Sequence, residues 1–161
     1  MKRIKEKFKK IKLLVLDFNG VMTDNRVLLS ENGKESVFFN RGDGLGIEML
    51  KKKRIDVIVI SKEKNKIVKT RCKKLKIKCL QGIENKYKLL QKEIKKRGLK
   101  INNICFVGND LPDIECIKGA GIGVSVNDSY ESVLRIADYI TEKKGGEGAV
   151  REVADLILKN K

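Results

Sequence analysis

Short apolar runs that end at a polar side chain recur along the chain. The first run, Leu-Leu-Val-Leu at 13–16, stops at Asp17. Continuous apolar runs of this length are typical of strands buried on both faces of a parallel sheet. Similar runs predict further strands at 55–60, 78–81, 103–107, 121–126 and 139–141.

Segments with helical spacing of apolar residues separate these strands. Helices are predicted at 43–53, 64–75, 85–97, 112–118, 128–137 and about 149–159. We expect the first of them to begin with Asp43 as its capping residue. The alternation predicts βαβ units in a Rossmann-like α/β fold, with a mostly parallel sheet and helices on both faces. With 161 residues, we expect one domain covering 1–161.

A β-hairpin is predicted at about 26–40, because Asn32-Gly33 joins two strand-like runs. The hairpin follows the first strand closely. We therefore expect it to stand over the end of the sheet as a flap, or to pack against a neighbouring subunit.

The chain is strongly basic, with 37 lysines and arginines against 21 aspartates and glutamates, and a net charge of +16. Such a charge can indicate nucleic-acid binding. Here the lysines are spread over nearly every predicted helix and aromatic residues are few, so we expect no nucleic-acid partner. No apolar run approaches the roughly 18 residues of a membrane span, and the basic start lacks a signal-peptide core. We therefore expect a cytoplasmic protein without a membrane partner.

Histidine is absent, and the four cysteines form no CxxC pair. The lack of histidine excludes serine–histidine and cysteine–histidine catalysis. The scattered cysteines give little basis for a zinc site. Acid–base chemistry must therefore fall to carboxylates, lysines or a metal ion.

Polar side chains gather where the predicted strands end. Asp17 and Asn19 follow the first strand, Ser61 follows the second, and 109–113 follows a later one, while Lys86 opens a helix. Each of them, taken alone, is also explained by local capping of a turn or helix. Together they fit phosphoryl transfer, which uses a carboxylate nucleophile, oxygen ligands for Mg²⁺, and a hydroxyl and a lysine on the phosphate oxygens.

The order of these motifs resembles the haloacid dehalogenase superfamily, and within it the small subfamily of 3-deoxy-D-manno-octulosonate 8-phosphate phosphatases. The resemblance is near end to end and implies a domain without a large cap. It is carried by 17–24, 43–47, Ser61, Asn85-Lys86, 108–113 and 144–152. Related domains accompany N-acylneuraminate cytidylyltransferases. The segments at 40–44 and 61–65 look more like that sialic-acid-associated branch.

The resemblance implies a role for each of these residues. Asp17 would be the nucleophile, forming an aspartyl-phosphate, and a ligand of Mg²⁺. Asn19 stands where the family has its acid–base aspartate, and its backbone carbonyl would be a second metal ligand. Ser61 and Lys86 would bind the phosphoryl group. Since an amide cannot exchange the proton, the resemblance implies a site deprived of a contribution typically worth roughly 10²–10⁴-fold.

The resemblance also assigns the loop after the later strand to the metal. Asn109 stands where the family has a metal-ligating aspartate, and Asp110 beside it is an alternative ligand. Asp113 would support the metal through water. Because Asn109 offers only a neutral oxygen, we expect weaker magnesium binding than in the family.

The implied assembly is a homotetramer, in which the hairpin contributes contacts and the C-terminal segment approaches a neighbour's site. Arg151 in that segment would then bind the sugar carboxylate or stabilise the tail. A CMP-sugar-acid synthetase is the further partner that the related domains imply.

Two functions remain open from the sequence. The first is a Mg²⁺-dependent phosphomonoesterase acting on a keto sugar acid phosphate, of the 3-deoxy-octulosonate 8-phosphate or the sialic acid 9-phosphate type, in lipopolysaccharide or sialic acid biosynthesis. The second is a non-catalytic assembly or regulatory module beside an N-acylneuraminate cytidylyltransferase. Asn19 favours the second function, and the retained Asp17, Ser61 and Lys86 favour the first.

Overall fold

The computed structural model describes residues 2–161. Its helices are α1 (Lys2–Lys9), α2 (Arg41–Lys52), α3 (Lys66–Leu75), α4 (Lys86–Lys96), α5 (Ile114–Gly119), α6 (Glu131–Leu134) and α7 (Ala149–Lys159), with 3₁₀ turns at Ile101–Asn103 and Leu111–Asp113. Its strands are β1 (Leu13–Leu16), β2 (Leu28–Leu29), β3 (Glu35–Ser36), β4 (Asp56–Ile60), β5 (Lys78–Leu80), β6 (Ile104–Gly108), β7 (Ile122–Ser125) and β8 (Tyr139–Ile140). Within this range, no helix has both the length and the apolar character needed to cross a membrane.

Six strands form one sheet in the order β5-β4-β1-β6-β7-β8, and every neighbouring pair is parallel. Strand β1 lies at the centre, where it pairs with β4 on one side and β6 on the other. The chain builds outward from β1 through β4 and β5, then crosses to β6 and builds towards the other edge. This reversal opens a crevice at the carboxyl ends of β1 and β6, which is where such sheets bind ligands.

The apolar core has two layers, one on each face of the sheet. Along β1, Leu14 and Leu16 pack with α1, α2, α3 and α7, whereas Leu13 and Val15 pack with α4, α5 and α6. Successive side chains of a strand point to opposite faces, so an uninterrupted apolar run is buried on both. The predicted Rossmann-like sheet with helices on both faces is therefore confirmed.

The hairpin is present at the predicted position but is short. Two residues of β2 pair antiparallel with two residues of β3. Gly33 in the connecting turn has φ +77°, a backbone conformation that glycine adopts without strain. The side chains of Leu28 and Phe38 are 69% and 78% exposed, so the hairpin buries little against its own chain.

The N-terminal segment and α6 differ most from the predictions. The basic start, for which no helix is predicted, forms α1, whose Phe8 is buried in the core. The spacing of Ile4, Phe8 and Ile11 is the helical signal that lysine enrichment hid. The helix predicted at 128–137 is reduced to the short α6, because the backbone before it bonds back to the loop after β6 and the backbone after it joins β7.

Asp43 does not cap its own helix as predicted. The cap of α2 is Asn40, whose side-chain oxygen accepts a hydrogen bond from Gly42 N at 2.7 Å, so the helix begins earlier than expected. Asp43 lies buried in the first turn and accepts a hydrogen bond from Arg151 N at 2.9 Å. Since Gly148 at the N-cap of α7 has no side chain to offer, Asp43 supplies the cap of that distant helix.

The pKa of Asp43 is raised to about 6, because burial outweighs the hydrogen bond from Arg151 and the positive charges of Arg71 and Arg151. The folded protein therefore binds this proton more tightly than the unfolded chain. Protonation of Asp43 therefore increases the free energy of unfolding as the pH falls through about 6. Above that pH the buried charge costs on the order of 2–3 kcal/mol.

We expect Asp43→Asn to be more stable than the parent at pH 8, because the amide oxygen can still accept from Arg151 N without a buried charge. The difference should shrink as the pH is lowered towards 4. Denaturant unfolding at both pH values measures it, with Asp155→Asn, a more exposed carboxylate on α7, as control. A variant less stable than the parent at pH 8 would mean that the arginines stabilise the charge more than burial opposes it.

Candidate active site

The residues predicted at the strand ends come together in one cleft of about 130 Å³. It lies at the carboxyl ends of β1, β4 and β6, with the start of α4 on one side. Its lining residues are Asp17, Asn19, Asn25, Ser61, Lys62, Glu63, Lys86, Asn109, Asp110, Pro112 and Asp113. The parallel sheet causes this convergence, because it brings the ends of distant segments to a single edge.

Lys86 is the centre of the cleft. Its ammonium group donates to Asp17 Oδ1 at 2.6 Å and to Asp113 Oδ1 at 2.7 Å. All three side chains are buried. Charge-assisted hydrogen bonds between buried groups are strong, and here they join three segments that are distant in sequence.

The contacts within this trio shift the pKa values of Asp17 and Lys86. Burial, followed by the charge of Asp113, raises the pKa of Asp17 to about 7, and Lys86 opposes the shift. Burial alone would lower the pKa of Lys86, but the two carboxylates outweigh it and raise that pKa. Two carboxylates against one ammonium leave an excess of one negative charge, which a cation in the cleft would compensate.

Asp113 also shapes the loop after β6. Its second carboxylate oxygen accepts from Asn109 N at 3.0 Å and from Asp110 N at 3.3 Å. These bonds fold the loop so that the Asn109 side chain lies over Asp17. Gly20 permits this approach, since a Cβ there would lie 2.0 Å from the Asn109 amide nitrogen.

Asn109 brings a third oxygen to a point beside Asp17. In one orientation its Oδ1 lies 3.0 Å from the backbone oxygen of Asn19 and 3.3 Å from Asp17 Oδ2, with no hydrogen between them. Neighbouring ligands of an octahedral Mg²⁺, at 2.0–2.1 Å from the ion, are about 3.0 Å apart. With the amide turned over, its nitrogen donates to both oxygens instead. The oxygen atoms of Asp17, Asn19 and Asn109 are therefore spaced as magnesium ligands. In the absence of the ion, the turned-over Asn109 amide is hydrogen-bonded to the other two oxygens.

The predicted ligand Asp110 is placed differently. Its Oδ1 accepts from Leu111 N at 2.6 Å and caps the 3₁₀ turn. Among residues 2–161, no three histidine, cysteine, aspartate or glutamate side chains cluster as metal ligands. The candidate metal site depends instead on one carboxylate, a backbone carbonyl and an amide.

Ser61 is buried at the end of β4, and its hydroxyl accepts from Glu63 N at 3.1 Å. The cap of α3 is Asn65, whose side chain accepts from Ile67 N. The alternative reading of Ser61 as the cap of that helix is therefore wrong. Its hydroxyl lines the cleft, where it can donate to an anion.

Arg151 is not brought to this cleft within the chain. It lines a larger cavity of about 540 Å³ between the starts of α2 and α7, and its side chain pairs with Asp155 at 2.9 Å. None of the strand-end carboxylates lines that cavity, so its larger volume is no evidence that the reaction takes place there. Arg151 is therefore not among the residues that line the cleft of Asp17 within this chain.

Glu63 is a further acidic residue of the cleft, and it is not among the candidates predicted from the sequence. Its carboxylate faces the Asn19 side chain, with Asn19 Nδ2 3.5 Å from Glu63 Oε2. The segment 61–65 contained the signal, since Glu63 follows Ser61 closely at a strand end.

We expect Lys86→Met to lose about 3–5 kcal/mol of unfolding free energy, because it leaves two buried carboxylates without their partner. Denaturant unfolding without Mg²⁺ is the measurement. Lys88→Met is the matched control, since Lys88 is exposed on the same helix. A loss no larger than that of the control would contradict the structural importance of the trio.

We expect Asn109→Asp to bind Mg²⁺ roughly tenfold more tightly, because ligand charge raises affinity for a hard cation. Without Mg²⁺ the same variant should melt at a lower temperature, since the new charge lies beside Asp17. Magnesium titration by calorimetry and by thermal shift measures both effects. Asp110→Asn is the comparison and should change the affinity little; a larger loss there would identify Asp110 as the ligand.

Comparison with known proteins gives the same family from sequence and from structure. A family described as haloacid dehalogenase-like hydrolase matches residues 2–153. The 3-deoxy-D-manno-octulosonate 8-phosphate phosphatase of Salmonella typhi is 39% identical over 153 residues, which is 94% of this chain and 81% of that protein.

Solved structures of the same phosphatase superpose closely. The enzyme from Moraxella catarrhalis, in complex with a magnesium ion, a phosphate ion and a KDO molecule, has a TM-score of 0.97 at 38% identity, covering 100% of this chain and 93% of that one. The cobalt-bound deoxy-D-mannose-octulosonate 8-phosphate phosphatase from Haemophilus influenzae has a TM-score of 0.91 at 30% identity, covering 96% and 91%. The chain therefore belongs to the haloacid dehalogenase-like hydrolase family, in the group that contains the 3-deoxy-D-manno-octulosonate 8-phosphate phosphatases.

Proposed function

We propose that the chain hydrolyses the phosphate ester of a keto sugar acid, with 3-deoxy-D-manno-octulosonate 8-phosphate as the first substrate to test. Phosphatases of this family are phosphoric monoester hydrolases that use Mg²⁺. The observation that carries the proposal is the Asp17, Lys86 and Asp113 trio beside three converging oxygen atoms. Similarity to phosphatases that act on this sugar phosphate supports the choice of substrate.

Asp17 is the nucleophile in this proposal. Its Oδ1 is held by Lys86, which fixes the orientation of the carboxylate at the end of β1. Attack on phosphorus would form an aspartyl-phosphate and release the sugar acid, and water would then hydrolyse the intermediate. Magnesium, bound by Asp17, the Asn19 carbonyl and Asn109, would neutralise phosphate charge and favour the ionised form of Asp17.

Lys86 and Ser61 bind the transferred phosphoryl group. The ammonium and the hydroxyl both line the cleft and are aimed by protein contacts, so they can donate to phosphate oxygens without large rearrangement. Asp113 keeps Lys86 in place and holds the loop that presents Asn109.

The cleft holds the phosphoryl group and little more. Its volume of about 130 Å³ is below the roughly 300–1,000 Å³ typical of pockets for whole organic ligands. The sugar acid would therefore extend out of the cleft, past the hairpin. A homotetramer, with Arg151 of another subunit near the sugar, would complete the binding surface.

The second candidate function is a non-catalytic module beside a CMP-sugar-acid synthetase. The observation that favours it is Asn19, which replaces the family's proton-transfer residue with an amide. The sialic-acid-like segments at 40–44 and 61–65 also make N-acetylneuraminate 9-phosphate the second substrate to test.

We expect Mg²⁺-dependent phosphate release from one of these two substrates. Asp17→Asn should lower kcat by roughly 10⁴-fold or more, since it removes the nucleophile. Release of phosphate from both sugar phosphates, with and without chelator, is the measurement, and Glu48→Gln, at an exposed carboxylate on α2, is the control. Equal rates for the parent and Asp17→Asn on both substrates would exclude the phosphatase and favour the module.

A further inference from the structure

Lys62 places a positive charge at the mouth of the cleft. Of the residues within 2–161 that line the cleft, two are cationic, Lys86 and Lys62. The ammonium of Lys86 is buried between two carboxylates, whereas the side chain of Lys62 is 45% exposed. The cleft therefore has an inner cation that is paired within the protein and an outer cation that a bound molecule can reach.

The backbone that carries Lys62 is fixed by hydrogen bonds on both sides of it. Ser61 O accepts from Ile83 N at 3.0 Å, and Glu63 O accepts from Gly82 N at 3.1 Å. These bonds tie the backbone after β4 to the turn before α4. Because Lys62 directly follows Ser61, its distance from a phosphoryl group bound at the Ser61 hydroxyl is set by the fold, and only its side chain has to move.

The contact that holds the Lys62 ammonium is weak. Its Nζ lies 3.1 Å from Glu84 Oε2, and the side chain of Glu84 is 76% exposed. Ion pairs between exposed side chains contribute little, because water solvates both charges and ordering two long side chains costs entropy. Another carboxylate can therefore take the place of Glu84 at little cost.

The other charged residues at the outer part of the cleft are acidic. Glu63 and Asp110 line it together with Lys62, so an anionic group of a substrate would be repelled by the first two and attracted by the third. Arg151, the cation predicted to bind a sugar carboxylate, lines a different cavity and pairs with Asp155. Among the described residues that line the cleft, Lys62 is thus the accessible cation.

We propose that Lys62 is a specificity-determining residue that binds the carboxylate of a sugar acid phosphate, an inference that rests on the proposed phosphatase function. The phosphoryl group lies against Ser61 and Lys86, and the sugar extends out of the cleft. Its carboxylate displaces Glu84 and pairs with the Lys62 ammonium. Lys62 therefore selects sugar acid phosphates over sugar phosphates that carry no second negative charge.

The test compares a sugar acid phosphate with its primary amide, in which the carboxylate is neutral, as substrates of the parent and of Lys62→Met. The measurement is kcat/KM with saturating Mg²⁺, for whichever of the two sugar acid phosphates is hydrolysed faster. The parent should prefer the carboxylate by about tenfold, as is typical of a hydrogen bond between charged groups. In Lys62→Met the preference should fall to about one, mainly through KM, because the contact is the same in substrate and transition state.

Two further variants examine the ion pair and the general effect of charge. Glu84→Gln should lower KM for the sugar acid phosphate by roughly two- to threefold, because it removes the carboxylate that competes for Lys62. Lys64→Met is the matched control, since Lys64 is exposed two residues along the chain and does not line the cleft. It should leave the preference for the carboxylate at about tenfold.

A binding measurement gives a readout that does not depend on turnover. Asp17→Asn, which lacks the nucleophile, is titrated by calorimetry with the sugar acid phosphate and with its amide. Adding Lys62→Met should weaken binding of the acid about tenfold and binding of the amide little. The difference should shrink at about 0.5 M salt, because salt screens exposed charges.

The outcomes distinguish this inference from the proposed function. An equal preference for the carboxylate in the parent and in Lys62→Met would overturn the role of Lys62 and leave the phosphatase intact. Loss of the preference in Lys64→Met or in Arg151→Met would overturn it too, as would a KM that rises in Glu84→Gln. Failure of the parent to release phosphate from any of these esters would reject the phosphatase and, with it, this inference.

Discussion

The active-site cleft depends on the buried contact of one ammonium group with two carboxylates. Lys86, at the start of α4, joins Asp17 at the end of β1 to Asp113 in the turn after β6. The same carboxylate of Asp113 organises the loop that carries Asn109. Removing one partner would leave an unpaired buried charge, so the structural and the chemical roles of Lys86 cannot be separated by a single substitution.

The charge balance of this trio explains why the site suits a cation and an anion together. Two carboxylates against one ammonium favour a divalent metal, and the metal then makes the cleft attractive to phosphate. The converging oxygens of Asp17, Asn19 and Asn109 have the spacing of magnesium ligands, even though one of them is a neutral amide. In the proposed reaction Asn19 and Asn109 would differ in consequence, because the first would remove a proton carrier and the second only a charge.

The small cleft and the exposed hairpin offer a substrate two separate surfaces. In the proposed function, the phosphoryl group would occupy a rigid site built on strand ends, where open α/β sheets bind ligands. The rest of a substrate would meet surfaces outside the cleft, among them the exposed apolar side chains Leu28 and Phe38. Chemistry and substrate choice can therefore change independently within the same fold.

The sequence by itself determined the order of elements along the chain: apolar runs that form strands buried on both faces, and helices between them. It also determined the candidate site residues, with Asp17, Ser61, Asn109 and Asp113 after strands and Lys86 at the start of a helix. Local patterns are sufficient for this, because burial and capping depend on near neighbours. Tertiary structure alone decided which polar side chains form hydrogen bonds with each other. Asp43 fits a local cap by pattern but caps α7, and Glu63 has no motif of its own yet faces Asn19. Both contacts join segments far apart in the chain: the packing of α2 on α7 creates the first, and the pairing of β1 with β4 creates the second.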